Sequence, residues 1–378
     1  MIIIIISLIV CVSYIFLMGS FAAGLIRLTG KQSLQNNSSE SGISLIIPFR
    51  NEAENLAACI ESVKKLDTCG MLLEVIFVDD HSEDGGEQIV MNNIQNSGNL
   101  SFKLIQMTSH NATGKKAAQH TGVQHASYGL LAFTDADCIL PQHWISAMMS
   151  KMNSSCVMIC GPVIYNTLQF SHHIFNIEFL SLVLSGAGAF GNGRPVFCNG
   201  ANILIRKDAY QNVESKMKGT AFASGDDVFL LQAVVRQYGG KSADFVMSRE
   251  ALVQTNPPEN FRKFFIQRIR WASKAVSYSG FWGIFTSLTV FFMSLLILTL
   301  FTTAFFSETC ILAGIISLGI KIFCDMVLFL SGKKLYNKAW YPLLLIPMQL
   351  VYPLYVVIVT VISFFGKGKW KGRKLVNN

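Results

Sequence analysis

At 378 residues the chain can hold one large domain or two ordinary ones, and a mean hydropathy of +0.41 with only 14% charged residues excludes an ordinary soluble protein. The net charge of +8 invites a nucleic-acid partner. Much of the basic excess, however, sits at Lys333, Lys334 and Lys338 and in a tail carrying Lys367, Lys369, Lys371, Arg373 and Lys374, beside apolar runs, where it meets anionic lipid headgroups; no nucleic acid is expected.

Met1 to Ile26 is a near-continuous apolar run, with Arg27 and Lys31 just beyond it. It lacks the basic leading segment of a secretory signal, so an uncleaved anchor is expected, with its flanking charges placing the downstream domain on the cytoplasmic side. Gln32 to Ser41 is polar and reads as a linker. Strands are then expected at Ile43–Ile47, Leu73–Val78, Phe102–Gln106 and Leu130–Phe133, and helices at Asn51–Lys65, Ser82–Ile94 and Gly114–Ala126. This alternation predicts a mainly parallel sheet with helices on both faces, whose ligand lies at the carboxyl ends of the strands. Ile174 to Phe190 reads as a helix lying at the membrane surface, with Glu178 inside it, and Val228 to Gln237 as a further helix. An amphipathic stretch begins near Asn260. Three more apolar runs come after it, Phe281–Phe306, Ile311–Leu330 and Trp340–Phe365, each long enough to cross a bilayer core of ~20 residues. Nine cysteines without a C-x-x-C pair, Cys156 and Cys160 among them, read as core thiols rather than zinc ligands.

Polar loops succeed three of the strands: Pro48-Phe49-Arg50-Asn51-Glu52, Asp79-Asp80-His81-Ser82 and Thr134-Asp135-Ala136-Asp137. Asp79 and Asp80 are placed to accept hydrogen bonds from a nucleoside, or to cap a helix. Asp135 and Asp137, two apart at a strand end, are hard oxygen ligands suited to Mg²⁺ or Mn²⁺. Lys115 near a helix N-terminus suits a phosphate, or is one of a solvated lysine pair with Lys116. Gly225-Asp226-Asp227 offers adjacent carboxylates for general-base chemistry, a helix cap, or both. Gln267-Arg268-Ile269-Arg270-Trp271 puts Gln267, Arg270 and Trp271 on one helical face: Arg270 suits bidentate pairing with phosphate, and Trp271 either an acceptor or the membrane boundary.

Taken in order, Val78-Asp79-Asp80-His81-Ser82, Thr134-Asp135-Ala136-Asp137, Gly225-Asp226-Asp227 and Gln267-Arg268-Ile269-Arg270-Trp271 resemble the family 2 glycosyltransferases, in particular the membrane-embedded branch with hyaluronan, cellulose and poly-N-acetylglucosamine synthases and ceramide glucosyltransferases. The resemblance covers roughly Ile43 to Trp271. It departs from the family at His81, where relatives often carry a small residue. It implies an α/β fold of the GT-A type flanked by transmembrane helices. It further implies an inverting transfer from a nucleoside-diphosphate sugar, a UDP-sugar by the resemblance, to a membrane lipid or saccharide acceptor. Asp227 matches the catalytic base and Asp226 its acidic neighbour. Pro48, Glu52, Asp79, Asp80, Lys115, Asp135, Gln267 and Arg270 match donor-binding positions; Trp271, Asn199 and Gly200 match the acceptor side; Asp137, with Asp135, matches the metal ligand.

The expected organisation is an anchor at 1–27, a linker at 28–41, a cytoplasmic catalytic domain at 42–258, an interface helix at 259–280, membrane segments at 281–366 and a basic tail at 367–378. Such a protein is expected in the cell membrane as a multi-pass enzyme, with a partner membrane subunit left open. Pro342, Pro347 and Pro353, together with the basic tail, predict that 340–365 is re-entrant or interfacial and that the tail is cytoplasmic. A processive exopolysaccharide synthase and a catalytically silent sugar-binding subunit are the alternatives. A pyrophosphorylase of the same alternating fold is disfavoured by the lack of a Gly-rich phosphate loop near the start.

Overall fold

The computed structural model describes residues 2–30, 41–94, 100–108, 114–217, 226–275, 280–304, 307–365, 369–370 and 373–374. Most of the expected linker, Gly225 and most of the basic tail lie outside these. The chain divides into two units that interleave in sequence.

One unit comprises 28–166, 197–257 and 376–378. Its strands are β1 (Gly42–Phe49), β2 (Leu72–Asp79), β3 (Ser101–Gln106), β4 (Leu130–Phe133), β5 (Cys138–Ile139), β6 (Met158–Cys160), β7 (Val163–Tyr165), β8 (Ile203–Arg206), β9 (Ala243–Phe245) and β10 (Val253–Thr255). Seven of them form one sheet in the order β3-β2-β1-β4-β8-β6-β9, and β5-β10-β7 form a second. The first four strands are parallel, while β8 runs antiparallel to both β4 and β6, so the sheet is mainly parallel, as the alternation predicts. Its helices are α2 (Ala53–Lys64), α3 (Gly86–Ile94), α4 (Lys115–His125), α5 (Trp144–Met149), α7 (Lys207–Glu214) and α8 (Asp226–Tyr238), numbered after an N-terminal α1 (Ile2–Gly30) that belongs mainly to the other unit.

Every residue of β1 is buried, because helices cover both faces. Gly122 of α4 lies so close to Ile46 that a Cβ there would collide with its side chain, while Gly86 at the start of α3 faces Phe49 and Leu56. Ile46 and Phe49, an odd number of positions apart, point to opposite faces of the strand. In register, Phe49 lies opposite Asp79 and Ile46 opposite Phe133, so β1, β2 and β4 deliver their loops to one sheet edge. The helix expected from Ser82 starts four residues later, because Asp84 Oδ1 accepts from the Gly86 amide and turns the chain first.

The other unit comprises 1–27, 167–196 and 258–375. It holds α1 together with α6 (Phe170–Gly191), α9 (Phe261–Ala275), α10 (Phe281–Thr303), α11 (Glu308–Ser331) and α12 (Tyr341–Phe365). The sequence-based division into a continuous 42–258 domain is thus interrupted at 167–196, which clusters with the apolar helices. Among the described residues five helices are long and apolar enough to cross a membrane: α1, α6, α10, α11 and α12. Phe175, Ile177, Glu178, Phe179 and Leu180 of α6 are all buried within the protein. A full crossing by α6 is excluded by connectivity. β6 precedes it and β8 succeeds it, and the two pair directly in one sheet, which cannot straddle a bilayer. α1 and α6 approach so closely that a Cβ on Gly24 would collide with the Gly188 carbonyl.

α12 corrects a second expectation. It is one helix of 25 residues, about 37 Å long at 1.5 Å per residue, and continues through Pro347 and Pro353. A continuous helix does not turn back within a bilayer, so the re-entrant form expected for 340–365 is corrected, while its interfacial alternative stands. Proline is tolerated in membrane helices because neighbours satisfy the carbonyls it leaves without a donor, and α12 packs against α9, α10 and α11.

Candidate active site

The site is assembled from loops at the carboxyl ends of β1, β2 and β4, with α4 and α8 completing it. After β1 and β2 the chain turns sharply, and Asn51 and His81 take positive φ, 51° and 60°. The two turns are laced together: Ser82 Oγ accepts from the Asn51 amide at 3.1 Å, Asn51 Oδ1 from the Glu83 amide at 2.9 Å and Asp84 Oδ2 from the Ala53 amide at 2.7 Å. The left-handed backbone at 81 supplies a physical reason for a small residue there. His81 meets it with Nδ1 at 3.3 Å from Asp80 Oδ1.

Asp79 and Asp80 are both buried. Asp79 Oδ1 accepts from the Ser82 amide at 2.9 Å, and Asp80 Oδ2 from the Gly114 amide at 3.0 Å, tying the β2 loop to the start of α4. The Arg50 guanidinium lies 4.0 Å from Asp80 and donates to its carbonyl at 3.0 Å. Pro48 is enclosed in β1. Glu52 sits at the N-cap of α2, where its carboxylate accepts from Asn55 Nδ2 at 2.7 Å.

Lys115, the first residue of α4, forms an ion pair with Asp135. Burial works against its charge, but the carboxylates of Asp135, Asp227 and Asp137 hold its pKa above the usual lysine value. Those four side chains therefore share one electrostatic neighbourhood. Asp137 is the most perturbed carboxyl: burial, then Asp135 and Glu52, push its pKa up to about 6. Thr255 on β10 donates to its Oδ2 at 3.0 Å, a contact with no sequence signal, since the residues are 118 apart.

Asp227, in the first turn of α8, has its carboxylate oriented by two backbone donors, Gly200 at 2.9 Å to Oδ2 and Val228 at 2.8 Å to Oδ1. A Cβ on Gly200 would stand 3.2 Å from that of Asp227, so a small residue suits this approach. Asn199 turns inward on its own loop and accepts from the Ala201 amide at 3.0 Å. Gly200, expected on the acceptor side, thus lies directly beside Asp227. Asp226 opens α8, and its side chain lies outside the described residues.

Gln267, Arg270 and Trp271 lie on α9, in the other unit. Their anchor is Arg268, for which no sequence pattern suggests a role. It is buried, its Nε donates to both Glu178 oxygens at 2.9 and 3.0 Å, and its guanidinium lies 4.3 Å from the Trp271 ring centroid and 4.6 Å from that of Phe264. Tyr355 of α12 donates to the same carboxylate at 2.9 Å, and Arg268 donates to Gln267 Oε1 at 2.6 Å. One Trp271 face is thereby engaged by Arg268 rather than open.

The donor set fits a divalent cation in one specific way. No group of three or more His, Cys, Asp or Glu converges for a metal among the described residues. Asp135 and Asp137 are hard oxygen donors, and burial first, then the neighbouring carboxylates of Asp135 and Glu52, disfavour the charged form of Asp137 in the absence of a cation. Two carboxylates completed by phosphate oxygens of a substrate are the usual holder of Mg²⁺.

A model of the family described as Glycosyl transferase family 2 matches residues 44–213, and one described as Glycosyl transferase family group 2 matches 130–362, more than half of the chain. Glycosyltransferase AglE of Haloferax volcanii is 28% identical over 199 residues, 52% of this chain and 55% of that protein. Poly-beta-1,6-N-acetyl-D-glucosamine synthase of Staphylococcus epidermidis is 25% identical over 255 residues, 64% of this chain and 57% of that protein. The matches thus span only about half the length of these curated relatives. In fold, the chain is similar to the mannosyltransferase PcManGT from Pyrobaculum calidifontis, solved in complex with GDP-Man and Mn²⁺. The TM-score is 0.58 at 15% identity, covering 96% of this chain and 99% of that one.

Proposed function

The chain belongs to the family 2 glycosyltransferases, and from that premise we propose that it moves a sugar, with inversion, from a nucleoside-diphosphate sugar to a membrane-associated acceptor. The observation that carries this is the gathering of Lys115, Asp135, Asp137 and Asp227 in one electrostatic neighbourhood, at the strand ends where such sheets bind ligands.

In this reading Asp227 removes the proton of the acceptor hydroxyl as it attacks the anomeric carbon, from the face opposite the diphosphate. Gly200 and Val228 fix the direction of its carboxylate. Asp135 and Asp137 would hold Mg²⁺ or Mn²⁺, which would supply Lewis-acid stabilisation of the leaving diphosphate. Lys115 supplies a cation at the N-terminus of α4, oriented by Asp135 until the donor arrives. Pro48, Glu52, Asp79 and Asp80 shape the nucleoside end. By the family pattern Gln267 and Arg270 bind the diphosphate and Trp271 the acceptor. Arg270→Lys, which keeps charge and loses the bidentate fork, tests that assignment.

The donor is a UDP-sugar by the resemblance, although the fold neighbour carries GDP-Man. The acceptor is a lipid: the four crossing helices among the described residues are few for a secretion channel. The 25% identity to a polysaccharide synthase favours a second reading, polymerisation. The enzyme is multi-pass, with the catalytic unit cytoplasmic. With α1, α10, α11 and α12 crossing, the residues after 365 fall on the opposite face, against the positive-inside rule. A single cysteine at Asn378, probed on intact cells with an impermeant maleimide, is expected to label; labelling only after lysis contradicts this topology.

Membranes incubated with a panel of radiolabelled nucleotide sugars, then extracted for lipids, test the function. Label in the lipid fraction with inverted anomeric configuration supports it. Growth of a polymer on donor alone selects the second reading, and transfer from no donor overturns both.

A further inference from the structure

The connection between α11 and α12 and the first turn of α6 bring together a set of hydrogen-bond donors without matching acceptors. Lys338 Nζ lies 3.3 Å from His173 Nε2, and His173 Nδ1 lies 2.9 Å from the Tyr341 hydroxyl. An ammonium can only donate, so Nε2 is the acceptor and the ring proton sits on Nδ1, donated to Tyr341. Asn176 Nδ2 also donates to that hydroxyl, at 3.3 Å. Tyr341 thus receives two hydrogen bonds, and its own O–H proton has no acceptor among the described residues, although the residue is only 3% exposed. Lys338 retains further N–H donors and has no carboxylate partner among the described residues. His172, also buried, has an Nδ1 without a hydrogen-bond partner.

The field here is positive as well. α6 begins at Phe170 with no side-chain cap, so the positive end of its dipole favours an anion. Lys333 and Lys334 lie a few residues before Lys338 and are exposed. The aromatic surround is that of a membrane boundary: Trp340, 38% exposed, stands edge-on to His173 at 5.0 Å, and Tyr336 stacks on Tyr341 at 5.9 Å. Unused donors, an uncompensated cation and an interfacial aromatic belt call for an oxyanion attached to an apolar tail.

We propose that Lys338, Tyr341 and His173, at the start of α12, bind the phosphate of a membrane lipid. Lys338 supplies the charge, the Tyr341 hydroxyl donates its free proton to a phosphate oxygen, and His173 holds both donors in place. The site shares no residue with the transfer chemistry, and its binding is read without turnover.

Native mass spectrometry of the full-length protein in detergent, titrated with phosphatidic acid, reads this binding directly. Phosphatidylcholine and inorganic phosphate are the other arms. Lys338→Gln should weaken phosphatidic acid about tenfold, the loss expected for one charge-assisted hydrogen bond, and Tyr341→Phe by a smaller factor. Lys338→Arg should keep the affinity, which separates loss of charge from loss of fold. Lys333→Gln and Lys334→Gln should change it less than about twofold, as screened surface charges do. Wild-type affinity in Lys338→Gln overturns the proposal. So does an equal loss in the Lys333 and Lys334 variants, which marks diffuse surface charge. Displacement of the lipid by inorganic phosphate at equal concentration shows a free anion to be the ligand and overturns it as well.

Discussion

Two networks of buried charge, one in each unit, differ in how far they are closed. In the helical unit Arg268 is neutralised by Glu178, with Tyr355 closing the carboxylate. Lys321, wholly buried on α11, donates to Asp325 and to Gln349 at 2.6 Å each, while Tyr14 of α1 donates to the other Asp325 oxygen at 2.6 Å. Each of these buried charges has an internal partner. In the sheet unit, Asp135, Asp137 and Asp227 gather around Lys115, and burial with the neighbouring carboxylates leaves Asp137 with its pKa pushed up to about 6. Closed networks hold helices together; an open one is arranged for something that arrives. Ionisable groups within apolar helices mark function by default, yet the pairing of Lys321 with Asp325 and Gln349 speaks for assembly.

The largest expected effect lies in the open network. Asp227→Asn keeps the size and polarity but cannot take a proton, so transfer should fall by ~10²–10⁴-fold while nucleotide binding persists. Near-normal turnover, measured on the same membranes, would remove Asp227 from the role of base.

A closed network should fail differently. Glu178→Gln leaves the Arg268 guanidinium buried without its counter-charge, at a cost of about 3–5 kcal/mol, whereas replacing both by apolar residues of similar volume should recover much of it. Thermal unfolding of purified single and double variants checks this. If the single variant unfolds like the wild type, the pair does not hold α6 to α9.

The smallest effect is a pH dependence confined to the open network. A folded-state pKa near 6 against an ordinary 3.8 means that the metal-free fold binds an extra proton between those values. Asp137 therefore adds stability at low pH, and that contribution is lost as pH rises through about 6. A cation reverses the preference, so its affinity should weaken about tenfold for each pH unit below 6. Melting curves of wild type and Asp137→Asn on either side of pH 6, with and without Mn²⁺, show this. Parallel curves for the two proteins contradict it.

Strand-end loops were legible in the sequence because the apolar runs of β1, β2 and β4 give way within two residues to Pro48, Asp79 and Asp135. The register of β1, β2 and β4 then gathers Asp79, Asp80, Asp135 and Asp137 on one edge. Lys115 and Asp227 were legible as members of a known order of motifs. The partners were not. Arg268 meets Glu178 across 90 residues and Thr255 meets Asp137 across 118, and no local pattern encodes such contacts. The α11 pair Lys321 and Asp325, unremarked in the sequence, has the four-residue spacing of a helix-face ion pair, whereas its third partner Gln349 carries no local signal. α12 misleads for a local reason: its prolines break an isolated helix but not one supported by neighbours.

Mn²⁺ binding to the purified full-length protein with UDP present, for wild type and Asp137→Ala, tests the open-network account most directly. Wild type should take up one Mn²⁺ per chain and bind UDP more weakly after EDTA, whereas Asp137→Ala should show neither the uptake nor the EDTA response. Equal Mn²⁺ uptake by the two proteins, or UDP binding indifferent to EDTA in the wild type, would contradict the claim that these carboxylates are left open for a metal and its diphosphate.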